Sequence, residues 1–422
     1  MCVLELVDGH AARNALAFAA LFLAGCGAAD GLIASDRRSS TLDLSTIDQH
    51  VVATVWESGP NSRFESAEFV DLTVQPVAVR GWVDDANDVD VFDLGPVFPG
   101  DRVLVEMTSA GALHAAIALF DDTGASQLVN DHRNVYLGRS DPFIDVVIRR
   151  PASACWIAVA STPGFDASGE YALVSSIQAG LPLPGVRPDT ILLDFHGANN
   201  VRIGNRPAIS IPPFDAARID PDFRNLTGAI IDRIVAAVRE DYAGFNVAVL
   251  STSEGSADNG FMTRLYFGTL DEALLGVAEG VDEFNSNTRQ QAIVFTDTFA
   301  AFARLEPTVA EISLALANVA SHEIGHLLGL VHTEDSADIM DVTATLRELT
   351  FKQHFRKSPI YSAVFPIGSQ DSVQSLLDSV GGDPSFVRFK EELADQRRVV
   401  VPDRGPRIPA RGGLFLSSCG SE

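Results

Sequence analysis

The sequence predicts an α+β protein in which an antiparallel, jelly-roll-like β-sandwich precedes a second domain with a mixed sheet and one long helix. Three observations support this fold class. Short β-rich runs without a helical stretch fill residues 64–178, and strand and helix patterns alternate after residue 190. Between them, the Pro- and Gly-containing residues 179–189 indicate a stiff linker.

Composition restricts the class of protein further. The chain has 422 residues, of which 46% are hydrophobic and 21% charged, and this is typical of a globular body of about two to three domains. The formal net charge of −25 would repel phosphate backbones, so nucleic acid is not an expected partner. No apolar run in the body is long enough for a polytopic membrane protein.

The N-terminal region carries an export signal. Residues 15–25 form an apolar run that follows Arg13 and is too short to span a bilayer, which predicts a signal peptide over residues 1–25. The next residue is Cys26, and residues 23–26 (Leu-Ala-Gly-Cys) resemble the bacterial lipobox. The resemblance implies lipidation of Cys26 and a lipid anchor in the bacterial membrane (the outer membrane if the cell is Gram-negative) or at the cell surface. Residues rich in Ala, Ser, Asp and Thr with weak periodicity follow, which predicts a linker over residues 26–63. The alternative is a plain secretory signal with an incidental cysteine.

The sandwich is predicted over residues 64–178. Its expected strands, separated by turn signals, cover residues 69–74, 89–94, 103–107, 115–120, 143–148, 155–160 and 171–177. Acidic residues 84–88 could form a calcium loop, but the glycine and distal glutamate of an EF-hand are absent, which favours a solvated turn. Cys155 either pairs with Cys419 or remains a buried thiol.

The order of these motifs resembles the bacterial pre-peptidase C-terminal domain, a module often attached to secreted proteases. The resemblance rests on Asp88–Phe92, Pro99-Gly100-Asp101, Leu119-Phe120-Asp121 and the final Gly169-Glu170-Tyr171. It implies accessory or substrate-holding work and carries no catalytic residues.

The second domain is predicted over residues 190–385. A strand at 191–195 is followed by a helical face over 226–238 and by strands at 245–250, 262–267 and 292–296. A long helix then begins near Pro307, a favourable first-turn residue, and ends at about Leu328. A short helix is expected over 373–380, and residues 386–422 are expected to form an exposed tail.

The long helix carries the chemistry. His322 and His326 lie about 40° apart on one helical face, so both imidazoles can reach one metal ion. Gly329 stands where a left-handed residue would end the helix and return His332 to the same ion. Three nitrogen ligands leave an open fourth position, which is typical of catalytic zinc. Glu323 points away from the ligands and can act as general base toward a zinc-activated water.

This segment resembles the metzincin zinc-protease signature. Residues 339–341 (Ile-Met-Asp) look like the methionine turn of that family, with Met340 beneath the metal, and the His-to-Met spacing is similar to that of matrixin-like members. The resemblance implies a zinc endopeptidase acting on extracellular or periplasmic proteins. Asp341 replaces the tyrosine of several metzincins, and no cysteine-switch motif precedes the domain.

Two alternatives concern the metal site. His196 could be a fourth ligand, but a histidine at the end of a strand is more often structural, and three histidines already satisfy a catalytic zinc. The whole chain could instead be a surface binding or adhesion lipoprotein with a vestigial metal site. The intact Glu323 favours the enzyme.

Overall fold

The computed structural model describes residues 2–7, 51–131, 141–165, 167–396 and 413–417. Its first strand is β1, Cys2–Val7. None of the helices in these ranges is long and apolar enough to cross a membrane. Cys26 and Cys419 lie outside the described residues, so lipidation of Cys26 and the pairing of Cys155 with Cys419 stay predictions. Cys155 itself is buried, and burial raises the pKa of its thiol to about 12.

Two five-stranded sheets form the N-terminal sandwich. Sheet I has the order β3-β5-β10-β7-β8 and sheet II the order β2-β4-β11-β6-β9. Pairing is antiparallel except between β2 and β4 and between β3 and β5. The strands are β2 Ala53–Trp56, β3 Glu68–Phe69, β4 Val77–Val83, β5 Val89–Asp93, β6 Arg102–Ser109, β7 Ala115–Asp121, β8 Ser126–Asn130, β9 Phe143–Val147, β10 Cys155–Ser161 and β11 Gly169–Gln178.

The central strands of sheet I, β5, β10 and β7, are buried on both faces. Its inner face contributes large side chains, such as Phe92, Leu119 and Ile157, to the core shared with sheet II. Its outer face contributes a second apolar cluster that reaches into the C-terminal domain; the members from sheet I are Val89, Val91, Ala116, Ala118, Phe120, Ala158 and Ala160. The small alanines let the C-terminal domain approach this face closely.

Three features of the sandwich differ from the predictions. The predicted linker over 26–63 ends early, because Ala53–Trp56 already pairs with β4. The strand Val77–Val83 is not among the predicted strands. Its polar and apolar residues do not alternate, because Arg80 and Gly81 are buried together with the apolar residues. The strand predicted at 69–74 is only Glu68–Phe69.

A buried carboxyl makes the sandwich sensitive to pH. Asp90 is 1% exposed and its Oδ2 accepts a hydrogen bond from the Tyr171 hydroxyl at 2.7 Å. Burial raises the pKa of Asp90 to about 8, and the neighbouring acidic groups Glu57 and Asp88 raise it as well. The folded state therefore holds a proton that the unfolded chain releases above about pH 4.

We expect the sandwich to lose stability as the pH rises from about 4 to about 8, by up to about 1.4 kcal/mol per pH unit. Asp90→Asn keeps an acceptor for Tyr171 and should remove this dependence. Urea unfolding followed by tryptophan fluorescence measures it, because the only tryptophans, Trp56, Trp82 and Trp156, all lie in the sandwich. Equal pH slopes for the two proteins would contradict the assignment to Asp90.

The C-terminal domain is built on sheet III, of order β15-β12-β16-β18-β17-β1-β21. Strands β15, β12, β16 and β18 are mutually parallel, and β17 is antiparallel to β18. The strands of this domain are β12 Asp189–Asp194, β13 Ala198–Val201, β14 Ile209–Ile211, β15 Val247–Ser251, β16 Thr263–Phe267, β17 Leu274–Ala278, β18 Gln291–Val294, β19 Lys357–Pro359, β20 Ser369–Asp371 and β21 Gly413–Ser417. The helices are α1 Thr227–Asp241, α2 Val309–Leu327, α3 Ser372–Ser379 and α4 Pro384–Gln396. A parallel-rich sheet with helices confirms the predicted α+β class.

The long helix α2 lies in the centre of this domain. Thr308 and Glu311 form a capping box at its start, and its residues from Ala315 to Leu327 are all buried. A helix that is apolar around most of its circumference belongs in a core, and here it packs between α1 and sheet III. The core therefore holds His322 and His326 of α2 in fixed positions.

The predicted tail over 386–422 is partly structured. Pro384–Gln396 is helical, and Val387 is 3% exposed in the domain core. Gly413–Ser417 pairs with β1 at the edge of sheet III. Neither element was expected, because the Arg- and Pro-containing residues 397–411 led to the prediction of an exposed tail for the whole region. The helix predicted at 373–380 corresponds to Ser372–Ser379.

Candidate metal centre

Helix α2 and the turn after it bring three histidines together. His322 and His326 are one helical turn apart. Gly329 has φ +101°, and its N–H donates to the carbonyl of His326 while the N–H of Leu330 donates to that of Gly325. This pair of bonds is a Schellman motif, which ends the helix and reverses the chain. His332 returns as a result, and its Nε2 lies 3.0 Å from Nε2 of His326.

The hydrogen bonds fix the tautomers of two of these rings. Nδ1 of His322 lies 2.8 Å from the Ile339 carbonyl, and Nδ1 of His326 lies 2.7 Å from the Leu330 carbonyl. A carbonyl oxygen only accepts, so both Nδ1 atoms carry hydrogen and both Nε2 atoms present lone pairs. Burial lowers the pKa of His322 to about 4 and holds the pKa of His326 and His332 well below the usual value. All three rings are thus in the neutral form that binds metal.

The arrangement fits a cation. The ligand atoms of the three histidines lie within 4.8 Å of one another. Nε2 of His326 is 3.0 Å from Nε2 of His322 as well as from that of His332, and converging lone pairs repel unless a positive ion lies between them. Three imidazoles, two of them held by outer carbonyl partners, are typical of a zinc site. Among the described residues, this triad is the cluster that could hold a metal, and the acidic turn at residues 84–88 is not part of one.

Glu323 lies beside the triad and is not part of it. Its side chain is 1% exposed, and Oε2 has no hydrogen-bond partner among the described residues. Burial raises the pKa of its carboxyl well above the ordinary value. The carboxyl faces Gly276 of β17, where a side chain would collide with it. A buried carboxyl with a free oxygen is costly unless a ligand satisfies it, which is typical of a catalytic position.

Met340 lies under the helix at the triad. It is fully buried, and a methyl group placed on Gly325 would come within 2.5 Å of its sulfur. The glycine therefore lets the thioether approach the helix backbone between His322 and His326. The preceding residue, Ile339, supplies the carbonyl that orients His322, so this turn supports the triad in two ways.

Comparison with known families assigns this region. Residues 275–356 match the model of the Matrixin family, Peptidase M10. The matched segment includes β17, the three histidines, Glu323 and Met340. These residues form the zinc-binding part of a matrixin-type peptidase domain. The intact triad of this matrixin domain is consistent with a catalytic zinc.

Several solved structures are similar to parts of the chain. Archaemetzincin from Methanopyrus kandleri is 19% identical, covers 41% of this chain and 91% of its own, and gives a TM-score of 0.24. The pre-peptidase C-terminal domain of a collagenase from Bacillus anthracis is 11% identical over 29% of this chain and 100% of its own, with a TM-score of 0.21. Metalloproteinase-II from Bacteroides fragilis is 11% identical over 68% and 91%, with a TM-score of 0.20. With TM-scores this low, none of the three contributes to the assignment. No curated protein matches the chain.

The prediction from sequence did not include some residues that surround the metal centre. Gly276 carries a signal in principle, because a glycine inside a strand often marks a close approach. The carbonyls of Ile339 and Leu330 carry none, since any residue supplies a backbone oxygen. His196 is not part of the cluster of three histidines. It lies after β12, where its N–H donates to Asp194.

Proposed function

We propose that this chain is a zinc metalloendopeptidase that hydrolyses peptide bonds of proteins outside the cytoplasm, with Glu323 as its general base. The observation that carries the proposal is the buried Glu323 carboxyl with its free Oε2 beside three neutral, converging histidines. The signal peptide predicted over residues 1–25 supports substrates outside the cytoplasm.

Five residues of the chain would bind the zinc or orient its ligands. His322, His326 and His332 would hold the zinc, and the Ile339 and Leu330 carbonyls orient two of the rings. Zinc, when bound, supplies Lewis-acid polarisation of the scissile carbonyl and of a water molecule.

Glu323 transfers the proton of the attacking water to the leaving amine. Its Oε2 accepts the proton of the attacking water, the water oxygen bonds to the scissile carbon, and the same carboxyl returns the proton to the leaving amine as the carbon–nitrogen bond breaks. Burial raises the pKa of this carboxyl, so its ionised form is a stronger base toward the water than an exposed carboxylate would be.

Removing and restoring the metal tests the proposal on the full chain. Purified protein is incubated with a broad peptide library, then treated with a chelator, dialysed and reloaded with about one zinc per chain. We expect internal cleavage of peptides that chelation abolishes and zinc restores. Cleavage that survives chelation would assign the activity elsewhere. A zinc-loaded protein that cleaves no peptide but binds a surface polymer would favour the adhesion alternative.

A further inference from the structure

A short hairpin joins the sandwich to the metal centre. Strands β19 and β20 pair antiparallel, with Ser358 opposite Gln370, and enclose residues 357–371. We name residues 357–371 the connecting hairpin. It lies in chain order after the methionine turn and before α3, and it touches the sandwich on one side and the metal-binding loop on the other.

The sandwich side consists of the turn between β7 and β8 and the outer face of sheet I. The N–H and the hydroxyl of Ser369 donate to the Gly124 carbonyl at 2.9 and 3.0 Å. Lys357 Nζ donates to the Thr123 hydroxyl at 2.9 Å and to its carbonyl at 3.1 Å.

Apolar packing accompanies these bonds. The ring centroids of Phe120 and Phe365 lie 5.8 Å apart, and Gly368 lies directly against the Phe120 ring, where no side chain would fit. The two aromatic rings belong to one buried cluster. The hairpin is therefore fixed to the sandwich by hydrogen bonds and by buried apolar area.

The other side holds the loop that carries His332. Gln370 is 3% exposed; its Oε1 accepts from the N–H of Val331 at 2.7 Å and its Nε2 donates to the Val331 carbonyl at 2.9 Å. The N–H of Tyr361 donates to the carbonyl of His332 at 3.0 Å, and Ile360 bridges to Thr333. The hairpin thus holds the backbone of His332 and of both its neighbours.

This support matters for His332 more than for the other two ligands. His322 and His326 are fixed by the hydrogen bonds of α2, whereas His332 follows the helix end and has no regular structure of its own. Its Nδ1 also has no hydrogen-bond partner among the described residues, so no hydrogen bond orients the ring from outside the centre. Its position then depends on the backbone that carries it. Metal sites need their ligands within about 0.5 Å of the binding geometry.

We propose that Gln370 is a positioning residue for His332, and that the sandwich sets the geometry of this ligand through the connecting hairpin. The sandwich is then a structural part of the metal centre and not only an accessory module. The zinc-affinity readout rests on the triad alone, whereas any cleavage readout also rests on the proposed peptidase function.

Two substitutions test the two ends of this connection in the full chain. Gln370→Met keeps the length of the side chain and removes both bonds to Val331. We expect its zinc dissociation constant, measured by competition with a chromophoric chelator, to rise about tenfold or more, as for other outer contacts of metal ligands. The absorption spectrum of the cobalt-substituted protein should change with it, which loss of stability alone would not produce.

At the sandwich end, Phe120→Ala removes the contact with the hairpin, and Phe92→Ala is its matched control. Both phenylalanines are fully buried in sheet I, but Phe92 faces the sandwich core and Phe120 the hairpin. Urea unfolding followed by tryptophan fluorescence should show a lower unfolding midpoint for both variants than for the wild type. Only Phe120→Ala should weaken zinc binding, and Phe120→Leu should restore most of it.

Each result decides the proposal. Wild-type zinc affinity in Gln370→Met or in Phe120→Ala would overturn it, as would equal weakening in Phe92→Ala, which would mean general destabilisation. If Gln370→Met does not fold, the Phe120 and Phe92 pair decides alone. The peptidase proposal fails separately, when the zinc-loaded wild type cleaves no peptide.

Discussion

Glu323→Gln is expected to lower peptide cleavage by about 10² to 10⁴-fold while the zinc content stays at the wild-type level. Glutamine keeps the volume of the side chain and fits the same space against Gly276, so the three histidines are undisturbed. It cannot take a proton from water at neutral pH. The loss should therefore appear in kcat, with the metal site intact.

Peptide turnover and zinc content, measured on the same preparations, check this result. Glu272→Gln is a matched control, because Glu272 is exposed just before β17 and should cleave at the wild-type rate. Equal cleavage by wild type and Glu323→Gln would show that Glu323 is not the base and that the activity has another origin.

His326→Ala is expected to abolish stoichiometric zinc binding. His326 is the central ligand, since its Nε2 lies 3.0 Å from Nε2 of both other histidines. Two remaining imidazoles on separate segments do not make a zinc site, so the affinity should fall by more than the roughly 10- to 100-fold that an outer contact contributes.

Elemental analysis after dialysis checks the zinc content, and thermal unfolding gives a second measurement. Zinc should raise the Tm of the wild type and leave that of His326→Ala unchanged. His114→Ala serves as control, because His114 is an exposed sandwich residue stacked on Phe165 and should retain zinc. Stoichiometric zinc in His326→Ala would remove the triad as the metal site.

The metal centre could be predicted because its three histidines and its glycine lie within 11 consecutive residues of the sequence. Two histidines four residues apart share a helical face whatever the rest of the fold is, and a glycine three residues before the last histidine of the motif allows the turn. The same holds for most sandwich strands, where large and small apolar residues alternate. Val77–Val83 escaped prediction because tertiary contacts, and not a pattern in its sequence, bury Arg80 and Gly81.

The contacts of the connecting hairpin could not be predicted from the sequence. Gln370 and Val331 are 39 residues apart, and Ser369 and Gly124 are 245 apart. No local sequence pattern relates positions this far apart. A glutamine in the sequence also does not indicate whether its side chain is exposed or makes a buried contact. The alanines of β7 and β10 were visible as strand residues, but only the structure shows that their outer face is covered.

The doubly buried sheet has a consequence for maturation of the chain. A protease that cuts residues 179–188 would not free a soluble sandwich, because separation would uncover Val91, Phe120 and the alanine-rich outer face of sheet I. The peptidase domain would uncover Ile360 and Phe365 at the same time. Exposed patches of this kind promote aggregation. A nicked chain should therefore stay together as a two-fragment complex in gel filtration, so a cut in this segment would change the connectivity of the protein and leave its assembly intact.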